Sequence, residues 1–174
     1  MKGAFGMGHS MKTYTIVAGV SGAGKSSFIG GLREKAVPCA DIETYIEKGI
    51  SFTQETTLTD SSAEYIVPTA KNQGYYIEIY YIGLNTFEEY MARVKNRVMR
   101  GGHNVTEADL RYQFAKRWDT LKEILPYCDE AHFLDNDNGF VNVAEYRNGE
   151  VVRIGELRPD WLTELQRFLL GKKE

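Results

Sequence analysis

Short apolar runs and stretches of helical spacing alternate along this chain. The first strand signal is Tyr14-Thr15-Ile16-Val17-Ala18. Lys25 to Lys35 follows with Phe28, Ile29 and Leu32 on one helical face, and Ala36 to Ala40 reads as a weak second strand ending at Asp41. A brief helix over Ile42 to Lys48 precedes a third strand and its exit loop at Ser51 to Leu58, and Asp60 to Asn72 reads as helix. Tyr75 to Leu84, rich in Tyr and Ile throughout, predicts a central strand covered on both faces. Two long helices are expected next. From Phe87, the residues Met91, Val94 and Val98 make an apolar face that ends at Gly101-Gly102. From Thr106, a capping residue, Leu110, Phe114, Trp118, Leu121 and Leu125 make another. Ala131 to Asp135 reads as the last parallel strand. Phe140 to Tyr146 and Glu150 to Ile154 flank Arg147-Asn148-Gly149 as a hairpin, and a closing helix runs from Pro159 to Gly171. The pattern predicts an α/β fold, three layers in α/β/α order with a mostly parallel sheet, and a C-terminal hairpin plus helix.

Between the first strand and first helix stands Gly19-Val20-Ser21-Gly22-Ala23-Gly24-Lys25-Ser26, the full G-x-x-x-x-G-K-[ST] spacing in its strand–turn–helix context. A glycine-rich turn aims backbone N–H groups at a phosphate, and the helix behind it adds the positive end of its dipole. Gly19, Ser21, Gly22, Ala23, Gly24, Lys25, Ser26 and Ser27 are the expected nucleotide-binding residues, with Lys25 on the β- and γ-phosphates and Ser26 on Mg²⁺. The expected cofactors are therefore ATP or GTP with Mg²⁺.

Composition narrows the classes. With 174 residues, 43% hydrophobic and 26% charged, the chain fits one soluble domain, taken as residues 11–174, and Met1 to Ser10 reads as a leader or tag. A net charge of −3 gives no electrostatic case for nucleic acid or an anionic membrane, and no apolar run is long enough to span a bilayer. Cys39 and Cys128 have no metal or redox spacing, as expected of reduced thiols in a cytoplasmic protein.

Three polar features belong at the carboxyl ends of the strands, where open parallel sheets collect ligands. Asp41 can take a proton from a substrate hydroxyl or hold Mg²⁺ through water, and it can equally cap the Ile42 helix. Glu55 and Thr56 suit hydrogen bonding to a sugar or polyol, and are also ordinary loop residues. Arg93, Arg97 and Arg100 form a stripe about 120° from the apolar face of their helix, with His103 in the glycine turn beyond. Such a stripe either closes over transferring phosphate as a mobile lid or is a solvated charged face. Leu134-Asp135 is the nearest approach to a Walker B strand, too late in the chain for a motor or transporter ATPase.

The ordered segments Ser51-Phe52-Thr53-Gln54-Glu55-Thr56-Thr57-Leu58, Tyr81-Ile82-Gly83-Leu84, Arg93-Val94-Lys95-Asn96-Arg97-Val98 and Gly101-Gly102-His103 resemble the zeta-toxin-like P-loop kinases, in particular their short chromosomal members labelled predicted ATPases. The likeness extends through Phe133-Leu134-Asp135-Asn136 to Leu157-Arg158-Pro159-Asp160-Trp161-Leu162. It implies transfer of a γ-phosphate to a small-molecule hydroxyl, with UDP-N-acetylglucosamine as the family's established acceptor. By the same resemblance, Lys25 is the phosphate-loop lysine, Asp41 the general base, Glu55 the carboxylate that seats the substrate, and Arg93 and His103 the lid positions. The stretch between Asp41 and Ser51 is shorter than in relatives, which keeps open a second reading as a regulatory ATPase or switch with no small-molecule acceptor. A toxin bound by an antitoxin-like protein partner is the third.

Overall fold

The computed structural model describes residues 11–171, so the expected leader at 1–10 lies outside the described residues. The sheet has six strands: β1 (Thr13–Ala18), β2 (Phe52–Thr56), β3 (Tyr76–Gly83), β4 (Glu130–Asp135), β5 (Val141–Arg147) and β6 (Glu150–Arg153). Their order is β2-β1-β3-β4-β5-β6. The first four are parallel, and β5 and β6 extend the sheet antiparallel. The hairpin turn places Asn148 and Gly149 at φ 53° and 83°, the left-handed pair that a two-residue turn between twisted strands requires.

Side chains alternate across this sheet and build two cores. On one face Tyr14, Ile16, Phe52, Ile77, Ile79, Tyr81 and Phe133 pack under α2 (Ile42–Lys48), α3 (Ser62–Asn72), α6 (Asp119–Ile124) and α7 (Asp160–Leu169). On the other, Val17, Ile82 and Leu134 pack under α1 (Lys25–Gly31), α4 (Phe87–Met99) and α5 (Glu107–Lys116). This second layer covers the carboxyl half of its face. Toward the amino ends Tyr76, Glu78 and His132 are only half-buried.

Four expectations need correction. Ala36 to Ala40 is not a strand: Ala36 makes a single bridge to Thr53, and Cys39–Asp41 is a 3-10 turn. Pro38 brings no N–H to a ladder, and it ends the pairing after Val37 has bonded to the Thr53 carbonyl at 2.8 Å. The second long helix breaks between α5 and α6. There Arg117 donates to the Phe114 carbonyl at 2.6 Å and lays its guanidinium over Trp118, 3.8 Å from the ring centre, ending the helical ladder. Helix α1 ends at Gly31, short of Lys35. The buried face of α4 is Phe87, Tyr90 and Val94, whereas Val98 is exposed.

Candidate functional site

The loop after β1 leaves the sheet where its neighbours diverge, with β2 on one side of β1 and β3 on the other. The crevice outside the carboxyl ends of strands at such a point is where open α/β sheets receive ligands. Gly22 and Gly24 take φ of 93° and 107°. A Cβ on Gly22 would stand 2.8 Å from the Tyr90 carbonyl oxygen, so the loop is folded directly onto α4 and tolerates no side chain there.

Lys25 opens α1 and is only 7% exposed. Its ammonium donates to the Gly19 carbonyl at 2.8 Å and to the Val20 carbonyl at 3.3 Å. Burial lowers its pKa to about 8, with the Glu55 carboxylate opposing and the Arg97 charge adding to the fall. Ser26 is exposed, and its hydroxyl donates to Glu55 Oε1 at 2.9 Å. Glu55 is in register with Val17, which brings it to the loop's side of the sheet.

Facing these groups is α4, whose Arg93, Asn96, Arg97 and Arg100 fall at i, i+3, i+4 and i+7 and so share one side of the helix. Between the two walls lies a cavity of about 500 Å³. Gly22, Gly24, Lys25, Ser26, Ser27 and Glu55 line one side; Asn136 and the α4 residues, with Gly102, line the other. Four cationic side chains (Lys25, Arg93, Arg97, Arg100) thus face a single carboxylate, the balance suited to a polyphosphate. A serine hydroxyl beside a carboxylate is a hard oxygen set that fits Mg²⁺.

The arginine helix is packed as a wall of the cavity. Tyr90 and Val94 are buried in the core shared with Val17, Val20 and Ala23. Arg93 donates to the carbonyls of Asn136, at 2.5 Å, and Asp137, at 3.3 Å, and Arg97 donates to the His103 carbonyl at 3.1 Å.

Other sequence-named residues fall elsewhere. Asp41 is exposed at the start of α2, on the opposite face of the sheet from α1, and is not part of the cavity lining. Its side chain caps nothing in α2. Thr56 closes a turn, its hydroxyl accepting from the Leu58 N–H at 3.0 Å and its carbonyl from the Gly19 N–H at 3.3 Å. The His103 side chain is exposed and lines no part of the cavity. Asp135 points to the far face, where it is buried and accepts from Trp161 Nε1 at 2.8 Å. That orientation turns it away from the phosphate loop.

Two residues at the site escaped sequence reasoning. Asn136 follows Asp135 and donates through Nδ2 to the Ala23 carbonyl at 2.8 Å. Its place at the carboxyl end of β4 was the available signal. Gln113, on α5, accepts from the Ser21 N–H at 2.9 Å; its partner lies 92 residues away, and no local pattern marks it.

The buried lysine predicts a pH effect. Phosphate contact favours the charged amine, so nucleotide binding raises its pKa and takes up a proton above pH of about 8. Titration calorimetry in buffers of differing ionisation enthalpy measures that uptake, and affinity falls as pH rises through this range. A proton count of zero would contradict the burial of Lys25 in the nucleotide-free loop.

Among the described residues, no helix is long and apolar enough to cross a membrane. No protein-family model matches the chain. Over 69 residues it is 39% identical to an uncharacterised protein of Haemophilus influenzae, a match spanning 40% of this chain and about half (49%) of that one. Among solved structures, a chain of the AvrRxo1-ORF1:AvrRxo1-ORF2 complex aligns with a TM-score of 0.64 at 13% identity, covering 90% of this chain and 63% of that chain. The same complex with ATP aligns at a TM-score of 0.59 and 13% identity, covering 82% and 60%. A chain from the PezAT chromosomal toxin–antitoxin system of Streptococcus pneumoniae aligns at 0.58 and 12% identity, covering 92% and 78%. The chain spans less than two thirds of the AvrRxo1 complex chains, and the likeness at these identities is one of fold. The mostly parallel α/β architecture that the sequence pattern predicts is therefore one this chain shares with a protein of a toxin–antitoxin system.

Proposed function

We propose that this protein is a nucleotide-dependent phosphotransferase that moves the γ-phosphate of ATP or GTP to a hydroxyl of a small molecule. The observation that carries the reading is one cavity in which Lys25, Ser26 and Glu55 face Arg93, Arg97 and Arg100. Phosphoryl transfer asks the protein chiefly for positioning and for positive charge around the transferring group. Lys25 leaves the loop carbonyls to meet the β- and γ-phosphates. Ser26, its hydroxyl oriented by Glu55, would hold Mg²⁺, which draws charge from the phosphate oxygens. The arginines neutralise what remains, with Arg93 held on course by the Asn136 and Asp137 carbonyls. The AvrRxo1 complex has been crystallised with ATP, which supports ATP as the donor here.

The acceptor is proposed only as a small hydroxyl compound, sugar nucleotides such as UDP-N-acetylglucosamine included. Glu55 lines the cavity and Asp41 does not, so Glu55 is the better placed group to orient or deprotonate the acceptor. A γ-phosphate transfer screen over sugar nucleotides and polyols, with Lys25→Ala as blank, tests the reading. Glu55→Gln is expected to cost on the order of 100-fold in transfer and Asp41→Asn much less. The reverse ranking would move the proton acceptor to Asp41, on the 39–41 turn. Nucleotide hydrolysis without transfer to any compound would favour the switch. The PezAT neighbour belongs to a toxin–antitoxin system, which supports proposing a protein partner as well; growth arrest on expression, relieved by a neighbouring gene product, tests it.

A further inference from the structure

The phosphate loop is held from outside by two side-chain amides of opposite polarity. Gln113 reaches in from α5 and accepts from the Ser21 N–H at 2.9 Å. Asn136 reaches in from the end of β4 and donates to the Ala23 carbonyl at 2.8 Å. Neither contact is a chance surface touch. Ser21 is 8% exposed, and a Cβ on Gly24 would come within 2.5 Å of Asn136 Nδ2, so the amide lies directly on the loop. Asn136 is itself tied down: its N–H bonds the Gly83 carbonyl at 3.3 Å, and its carbonyl accepts from Arg93 at 2.5 Å.

We propose that Gln113 and Asn136 form an amide clamp that holds the glycine-rich loop in its phosphate-receiving shape and joins it to the arginine wall. The reason is entropic. A loop with glycines at positions 19, 22 and 24 has more backbone freedom to lose than one built of other residues, and unless it is ordered beforehand that loss weakens ligand binding. Gln113 restrains the loop ahead of Gly22, and Asn136 restrains it just behind. Both are positioning residues, and the inference rests on the nucleotide reading for its purpose though not for its geometry.

The chemistry gives the two ends different requirements. Gln113 must accept, so Gln113→Glu retains its bond and Gln113→Ala loses it. Asn136 must donate, so Asn136→Asp loses its bond just as Asn136→Ala does. Hydrogen exchange of the loop amides in the nucleotide-free protein reads this directly. Protection at residues 20–24 should fall about 5- to 10-fold in Gln113→Ala, Asn136→Ala and Asn136→Asp, and hold in Gln113→Glu. ATP affinity, measured with Mg²⁺ by calorimetry, should weaken by a similar factor in the two alanine variants while their melting temperatures stay near that of the parent. Unchanged exchange in both alanine variants, or equal loss in Gln113→Glu and Gln113→Ala, would overturn the clamp. Reduced protection in the alanine variants of a parent protein that itself binds no ATP would leave the clamp standing and remove the nucleotide reading instead.

Discussion

Replacing Lys25 by Met is expected to abolish ATP binding and, in the same protein, to raise the melting temperature of the nucleotide-free state. The loss of binding, on the order of 100-fold or more, follows from removing the one cation at the root of the phosphate loop. The gain in stability follows from its burial. Lys25 is 7% exposed, its ammonium is satisfied by two carbonyls only, and burial brings its pKa to about 8. Because that is below the usual 10.5, the folded protein binds fewer protons than the unfolded chain between pH 8 and 10.5, and this group's contribution to stability rises with pH across that window. Below pH 8 the cost of keeping the buried charge is fully present. Methionine keeps the length of the side chain and removes the charge, which should return about 1–2 kcal/mol, or roughly 2–8 °C for a chain of this size. The difference between variant and parent should be widest at pH 7 and should close toward pH 10.5. A methionine variant that melts below the parent at pH 7 would mean that the two carbonyl bonds outweigh desolvation. The loop would then stabilise the fold rather than hold strain in reserve for its ligand.

Trp161→Ala should produce the largest stability loss of any single change at the carboxyl end of the sheet. The indole is 2% exposed, and its Nε1 donates to Asp135 at 2.8 Å. Its ring lies so close to β3 that a Cβ on Gly83 would stand 2.5 Å from it. Truncation leaves a cavity between α7 and the sheet, worth about 3–5 kcal/mol, and leaves a buried carboxylate oxygen without that donor. Denaturant titration measures the loss. Trp161→Phe separates the parts, since it fills most of the space yet cannot donate, and should still cost about 1–3 kcal/mol. Phenylalanine matching tryptophan would show that the Asp135 contact contributes nothing. Asp135 is followed directly by Asn136, so α7 also steadies the strand end from which the clamp reaches.

Much of the fold was legible along the chain. The strands near Tyr14, Tyr76, Ala131 and Val141, the helix Ile42–Lys48 and the Asn148-Gly149 turn all arise from local signals: β-branched and aromatic runs, helical spacing, and residues that accept positive φ. The failures were equally local in cause. Ala36 to Ala40 carries strand-like residues, but Pro38 removes a donor. Phe114 and Trp118 continue one apolar stripe, yet Arg117 sits between them and closes the helix with its own side chain.

The phosphate loop is a sequence fact, because its glycines, lysine and serine must be neighbours to do their work. The arginine stripe is nearly so, since helical periodicity alone puts positions 93, 97 and 100 on one side. What faces what could come only from the packed sheet. Strand alternation turns Glu55 toward Ser26 and Asp135 away from the loop, and it was the burial of Tyr90 and Val94 that made α4 a wall. Asp41 and Glu55 looked equivalent as carboxylates near strand ends, but α2 packs on the opposite face and only Glu55 enters the cavity. The contacts of Gln113 and Asn136 with the loop span 92 and 113 residues, and a one-dimensional pattern carries no trace of pairs so distant. Chemistry between neighbours in sequence is written in the chain. Chemistry between faces is decided by which side of a sheet each residue falls on and by what packs over it.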